Sequence, residues 1–518
     1  MKRITVLLLA MALVVGSVAT AKADGIDIKV KGQWDFAFGV VNNAVFKKSY
    51  NDSQRDGRFV TGKQRRDNDN FEARQRIRTQ INFISSEYLQ AVLMFEIGDL
   101  DWGRNTNGTV GRSSGGALDA DGVNIETKRA YLDWIIPNTE VSVRMGIQGL
   151  KLPSTRMGNM VFDADVAAIV VSAPITDWLG LTAFWARPFD SFQNDADGNS
   201  NNFGWQQDNL NDEVDMFGVV VPLTFDGFSL TPYVVYARIG NASDFWSYSF
   251  DRDLGGYSWI KNSATNAWWF GGNFTLDMFN PLTFSLDYIY GRIAKTEFGY
   301  PGRPWLKAHL NDLSASGWYI GATLDYKLDW GTPGIFGWYA SGDKKNARDS
   351  NHIGRLPVLG TDGGFTATSF GTAGYYGIGN AGNAAVISNT GTGTWGVGLQ
   401  VADVSFIEDL SHTLRVAYYR GTNDADLVRR NRSNNKTRGG AEFRPYSSDA
   451  LYLTDDDSVI EVNFDHVYKI YENLEVCLEL GYLHLRSDKG TWGWSNTDNN
   501  LKKNDDAWKA EFNFRYSF

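Results

Sequence analysis

Several things are scarce in this chain of 518 residues, and each scarcity removes a class of protein. There is one cysteine, Cys477, so no disulfide can close within the chain and a disulfide-stapled scaffold is excluded. The five histidines, His309, His352, His412, His466 and His484, are scattered without the spacing of a metal site. Asp465 precedes His466, but neighbouring side chains on a strand point to opposite faces, so this carboxylate cannot orient its own neighbour. No Ser/His grouping places a nucleophile beside a base; neither catalytic residues nor a cofactor are expected. Prolines number only 12 and no Pro/Ser-rich linker divides two composition regimes, which leaves one domain. The formal net charge is −10, the wrong sign for a nucleic-acid partner. Beyond the N-terminus no run reaches the roughly 18 to 20 apolar residues of a membrane helix.

What is abundant points elsewhere. Glycine (54), phenylalanine (31), tyrosine (23) and tryptophan (18) are plentiful, a composition suited to closely packed strands and interfacial aromatic girdles. Lys2 and Arg3 precede an apolar run from Ile4 to Val18, and Ala21-Lys22-Ala23 follows. That is the pattern of a secretory signal peptide cleaved after Ala23, with one domain over 24–518. The protein is expected to be exported, and its first strand to begin directly after cleavage, leaving no room for an N-terminal plug domain.

Period-2 alternation recurs along the rest of the chain. Ile26, Ile28, Val30, Trp34, Phe36, Phe38 and Val40 share one face with Asp27, Lys29, Lys31, Gln33 and Asp35 opposite. The final run is as regular, with Trp508, Ala510, Phe512, Phe514, Tyr516 and Phe518 on one face and Lys509, Glu511, Asn513, Arg515 and Ser517 on the other. Several runs reach ten residues, long enough to cross a bilayer at a tilt. Short connections fall near 85–88, 137–140, 174–177, 224–227, 277–281, 327–333, 408–411 and 471–473. Long ones lie between them, near 41–70, 98–127, 149–165, 188–213, 239–265, 293–314, 343–394, 422–457 and 485–505. The fold expected is all-β: a transmembrane antiparallel up-and-down β-barrel of about 18 strands, with 16 as the alternative, short turns on the periplasmic side and long extracellular loops. A secreted sandwich or propeller would need a repeated blade motif, which is absent.

The interior candidates are basic. Arg74, Arg76 and Arg78 share a face with Gln80 and Asn82, a ladder rising about 7 Å per step. Lys29 and Lys31 on the preceding strand, Arg129 and Arg144 extend it into a positively charged wall, screened by pore water. The other reading pairs each arginine with a local carboxylate such as Glu72 or Glu96. Trp34, Tyr131, Trp134, Trp268, Tyr290, Trp318, Tyr326, Trp338, Tyr418, Tyr468 and Tyr516 read as bilayer girdles, and Tyr233, Trp269, Tyr319, Tyr339 and Tyr419 as inward rings. Asp195, Asp197 and Asn199 alternate oxygen ligands as calcium loops do, but without the later EF-hand glycine and glutamate; no metal is expected.

Terminal Phe518, with Tyr516 and Phe514, resembles the signal read by the outer-membrane barrel assembly machinery. The segments Arg76-Ile-Arg-Thr-Gln-Ile-Asn-Phe-Ile-Ser-Ser-Glu87, Leu89-Gln-Ala-Val-Leu-Met-Phe-Glu96, Thr127-Lys-Arg-Ala-Tyr-Leu and Val143-Arg-Met-Gly-Ile-Gln148 resemble trimeric outer-membrane porins, most narrowly the homotrimeric porins of anaerobic sulfate reducers. The resemblance implies a homotrimer in the outer membrane passing ions and small hydrophilic solutes passively. It also implies a third loop, Gly149–Asp165, folded into the pore. Lys151, Arg156, Asp163 and Asp165 would then belong to a constriction facing the basic wall, although the Pro-Glu-Phe-Gly-Gly-type sequence of enteric porins is missing. A sugar- or anion-selective porin, or a surface receptor or adhesin barrel, are the alternatives.

Overall fold

The computed structural model describes residues 25–42, 70–103, 125–190, 213–240, 264–296, 313–346, 352–361, 391–429, 453–492 and 506–518, with short pieces at 243, 245, 259–260, 298–299, 376–377, 446–447 and 450–451. The N-terminal segment up to residue 24 and the candidate calcium loop at Asp195, Asp197 and Asn199 lie outside these residues.

Eighteen staves close a cylinder. In chain order they are β1 (Asp27–Asn42), β2 (Asn70–Ser86), β3 (Leu89–Asp101), β4 (Ile125–Ile135), β5 (Ser142–Lys151) and β6 (Phe162–Thr176). Next come β7 (Leu179–Asp190), β8 (Glu213–Val220, resuming at Leu223–Phe225), β9 (Phe228–Gly240), β10 (Ala264–Phe279), β11 (Leu282–Thr296) and β12 (Leu313–Tyr326). The last six are β13 (Thr332–Ala340), β14 (Thr394–Ile407), β15 (Leu410–Gly421), β16 (Ser458–Tyr471), β17 (Leu474–Arg486) and β18 (Ala507–Ser517). Each pairs antiparallel with its neighbour in sequence, and β18 closes on β1 with Trp34 opposite Tyr516 and Phe38 opposite Phe512. Closure removes both sheet edges. The interruption in β8 falls at Val221-Pro222, as a residue without an N–H requires. All eight expected short connections join consecutive staves at one end.

Outside, the wall is apolar: Phe217, Phe270, Ile320, Leu399, Phe464 and Phe512 are all exposed on outward positions. A water-facing sheet would not tolerate so many, whereas hydrocarbon does. At the short-turn end outward rings stack in series, Trp178 on Phe225 (5.6 Å) and Phe225 on Phe228 (4.8 Å), where amphipathic headgroups and acyl chains meet.

Inside, the lumen is not uniformly open. The connection between β5 and β6, residues 152–161, turns inward, and Leu152, Met157, Met160 and Val161 are fully buried. They pack against inner residues of β8 to β13, among them Met216, Val235, Trp269, Tyr319 and Phe336. The third loop is therefore folded into the barrel. Residues 352–361, from the connection between β13 and β14, lie across the same half: Leu359 and Gly360 donate N–H groups to the Val161 carbonyl (3.0 and 3.2 Å), and Trp269 donates Nε1–H to the Pro357 carbonyl at 2.8 Å.

Large inner rings lie flat on glycines across the ladder. A β-carbon at Gly291 would stand 2.7 Å from the Trp269 ring, and one at Gly398 2.2 Å from Phe336. One aromatic expectation is reversed. Trp338, expected in the girdle, points inward (4 % exposed), while Tyr339, expected inward, is 40 % exposed and stacks on Trp318 outside the barrel. With aromatics on consecutive residues and apolar packing on both faces, alternation loses its phase. Tyr131, also expected in the girdle, shares its face with Asp133 and lies under Arg144, 4.6 Å from ring centroid to guanidinium carbon.

Candidate functional site: an ion-paired lumen wall

Alternation places the expected cations inside because their neighbours on β2 must face lipid. Their surroundings differ from a bare basic wall. Arg74 pairs with Asp101 of β3, Arg78 with Glu96 at 2.5 Å, and Arg144 with Asp133 through two bonds of 2.6 and 2.8 Å. A β-bulge in β4 turns both Lys128 and Arg129 toward the Asp165 carboxylate, each at 2.9 Å. Lys151 pairs with Asp163 at 3.0 Å. Lys29 and Lys31 lie nearer the short-turn mouth, exposed, with Lys29 3.9 Å from Asp27. Pairing with a carboxylate of the next stave describes Arg74 and Arg78, with Glu96, one of the two acids that alternative named, opposite Arg78. Stacked guanidiniums at 7 Å repel, and a carboxylate on the next stave relieves that repulsion without a solute.

Three positions are corrected. Lys151, Asp163 and Asp165 do not belong to the third loop: Lys151 is the last residue of β5, and Asp163 and Asp165 are residues of β6, opposite Lys151 and Gly149 of β5. Residues 152–161 contain no acid at all, so the expected arrangement of an acidic loop facing a basic wall is not formed. The loop carries instead a cation, Arg156, and reaches the other side: it donates to Asp325 of β12 (3.1 and 3.2 Å) and to Gln400 of β14 (2.7 Å), and its guanidinium lies 5.3 Å from the Phe336 ring. The loop's anchor is Asp287 of β11, whose two oxygens accept the Thr155 N–H at 2.9 and 2.8 Å. A buried carboxylate needs such donors. Asp287 was visible only as one polar position in an alternating strand, so its role had no sequence signal.

Asp35 of β1, one polar position among five in its run, likewise carries no local signal of its role. It is fully buried and gathers Arg515 Nε (2.7 Å) and Nη2 (3.1 Å), Gln33 Nε2 (3.0 Å) and Arg76 Nη2 (3.4 Å). Arg76 is itself only 3 % exposed. The polar face of β18 points inward, yet Lys509, Glu511 and Asn513 are buried there, Lys509 against Glu479 at 2.5 Å. Among the paired cations of β2 to β5, Arg129, Arg144 and Lys151 keep the most solvent contact. A cavity of about 530 Å³ opens below them at the short-turn end, lined by Ser86, Gln90, Asp133, Arg144, Ser142 and Ser172 among others.

Phe514, Tyr516 and Phe518 are placed at the seam. The Phe518 carbonyl accepts from Gly32 N–H at 2.7 Å and its N–H donates to Gly32 O at 3.0 Å, so the last residue is ladder-bonded to β1. A β-carbon at Gly32 would meet the Phe518 ring at 2.5 Å.

No family model matches this chain, and no curated protein does. Among solved structures, Pseudomonas aeruginosa OprD is similar at 12% identity, with 96% of this chain and 97% of that one covered and a TM-score of 0.45. Pseudomonas aeruginosa OccK9 (OpdG) is similar at 10% identity, 95% and 98% coverage and a TM-score of 0.48. Pseudomonas aeruginosa OpdK, solved with vanillate, stands at 10% identity, 95% and 98% coverage and 0.44. At such identities the likeness assigns no residue of this chain a role.

Proposed function

We propose that the protein is an outer-membrane porin, a water-containing channel through which ions and small hydrophilic solutes diffuse passively. The observation that carries this reading is the pairing of opposites in one closed wall: apolar residues outside, and inside the ion pairs of Arg74 with Asp101, Arg78 with Glu96 and Arg144 with Asp133. Pairing offsets part of the desolvation of these charges, and water in the lumen offsets more of it for the partly exposed ones, such as Arg78 and Arg144. The channel needs no energy source, since it replaces a hydrocarbon barrier with water. Its delivery by a signal peptide cleaved after Ala23, its insertion by the barrel assembly machinery through Phe518, and its assembly as a homotrimer are parts of the same proposal.

A second reading, a solute-selective porin, is favoured by the crowding of the lumen by residues 152–161 and 352–361. Planar-bilayer recording separates the possibilities. Ohmic conductance unaffected by added sugars or organic anions supports general diffusion, and saturable block supports selectivity. A purified, folded barrel that conducts no ions would overturn both and favour a surface receptor. Replacing Arg74, Arg76 and Arg78 together by alanine should shift the reversal potential in a salt gradient toward cations. No shift would remove these residues from the conducting path.

A further inference from the structure

The connection between β13 and β14 also reaches the opposite, charged side of the lumen, at Tyr376 and Gly377. Arg76 donates from Nη2 to the Tyr376 carbonyl at 2.8 Å and from Nη1 to the Gly377 carbonyl at 2.7 Å. Its nearest carboxylates, Asp35 and Asp99, stand farther away, each at 3.4 Å. The short, well-directed bonds of this guanidinium therefore go to backbone and not to acid. The Tyr376 ring lies against Arg515, 4.0 Å from ring centroid to guanidinium carbon, and its hydroxyl donates to Glu475 of β17 at 3.3 Å. It packs with Ala37 and Cys477 of the inner wall. Beneath this contact Asp35, Cys477 and Asn513 are wholly shielded from solvent, although alternation turns all three toward the lumen.

We infer that Tyr376 is a size-determining residue of the channel and that Arg76 is the residue that positions it. The inference rests on the channel reading above. The third loop narrows the lumen from β8 to β14, while Tyr376 occupies cross-section on the side of β1, β17 and β18. Arginine suits the positioning task because its planar fork offers two parallel N–H groups to two successive carbonyls, which a lysine ammonium cannot match. Asp35 completes the device by holding Arg515 in line for the ring. In this arrangement Arg76 contributes to the channel through the segment it holds, not through its own field.

The chain's single cysteine is a reporter already in place, since Cys477 packs with Tyr376. The rate of Cys477 modification by a small water-soluble methanethiosulfonate reagent is measured in the folded, reconstituted protein, alongside single-channel conductance. The wild type should label slowly. Tyr376→Ala should label about tenfold faster or more, as expected when a protective contact is removed, and conduct more per channel. Arg76→Lys should move both readouts the same way, and Tyr376→Phe, which keeps the ring and both carbonyls, should label as the wild type does. Wild-type labelling in Tyr376→Ala would overturn the docking and the inference with it, and faster labelling with unchanged conductance would overturn the size-determining role. Should the Arg76 variant fail to insert, Tyr376→Ala decides alone. If the wild type passes no ions, the channel reading falls instead, which the labelling rates do not measure.

Discussion

The two sides of the lumen are built on different physics. From β7 to β15 the inner wall is largely apolar, with Trp269, Tyr319, Phe336 and Tyr419 buried, the third loop packed among them, and Asp287 and Asp325 set into it as the acids that bond that loop. From β1 to β5 and from β16 to β18 it is charged, and cations and carboxylates alternate across the ladder. On the first side packing fills the space around the loops, through dispersion and exclusion of water, and two carboxylates, Asp287 and Asp325, pin the third loop within it. On the second, charge holds the loops in place, and each group depends on a named partner. The sides should therefore fail differently when altered: the apolar side by losing its filling, the charged side by unbalancing its field.

The largest effect is expected from the apolar side. Trp269→Ala removes a ring wedged over Gly291 and the bond to Pro357, and should destabilise the folded barrel by about 3 to 5 kcal/mol. The check is the urea dependence of the folded fraction by heat-modifiable gel mobility. An effect below 1 kcal/mol, on the scale of ordinary surface changes, would show that the filling is not what stabilises this half. Asp287→Ala, which strips the Thr155 N–H of its acceptors, should release the third loop and raise single-channel conductance about twofold or more, since a wider pore presents a weaker barrier. Unchanged conductance would mean that the loop is held by packing alone.

On the charged side the comparison sharpens. Arg78→Ala leaves Glu96 near Lys128 as its remaining cation and should shift the reversal potential toward cations. The double variant Arg78→Ala with Glu96→Ala should return it most of the way, because removing both partners restores the balance. Equal shifts in the two would contradict pairing and restore the bare basic wall. At the seam, loss of Phe518 should lower the inserted amount severalfold, judged by the heat-modifiable band, since it removes two ladder bonds to Gly32. Channels that do insert should conduct as before.

The smallest effect concerns pH. His352, in the segment laid against β12, bonds Ser314 and Ser316 through its two ring nitrogens at 3.0 and 3.2 Å. Burial lowers its pKa below the ordinary value, with Lys344 adding to the shift. A histidine lowered on docking takes up protons more readily when undocked. Docking is therefore strongest above the undocked value, about 6.5, and weakens as pH falls below it. Hydrogen exchange over 352–361 should speed up between pH 7 and 5 relative to β12. A flat ratio, or the same change in His352→Gln, would remove the histidine from the explanation.

Much of the barrel was legible in the residues. Alternation and the order of short and long connections identified the staves and their number. The inward direction of Arg74, Arg76 and Arg78 followed from the same period. What they face did not, because Asp101 and Glu96 lie 27 and 18 residues away and pair through register and a bulge that no local pattern encodes. The same holds for Tyr376, which sits 300 residues from Arg76.

The sequence by itself determined the strand period, the apolar outer face and the order of short and long connections, since these depend on each residue and its immediate neighbours. Only the tertiary structure decided which half of the lumen is filled, that Arg156 crosses to Asp325, and that Arg76 holds a loop instead of facing open water. Those outcomes depend on closure of the cylinder. It brings staves distant in sequence around one interior, where packing and charge pairing compete for the same space.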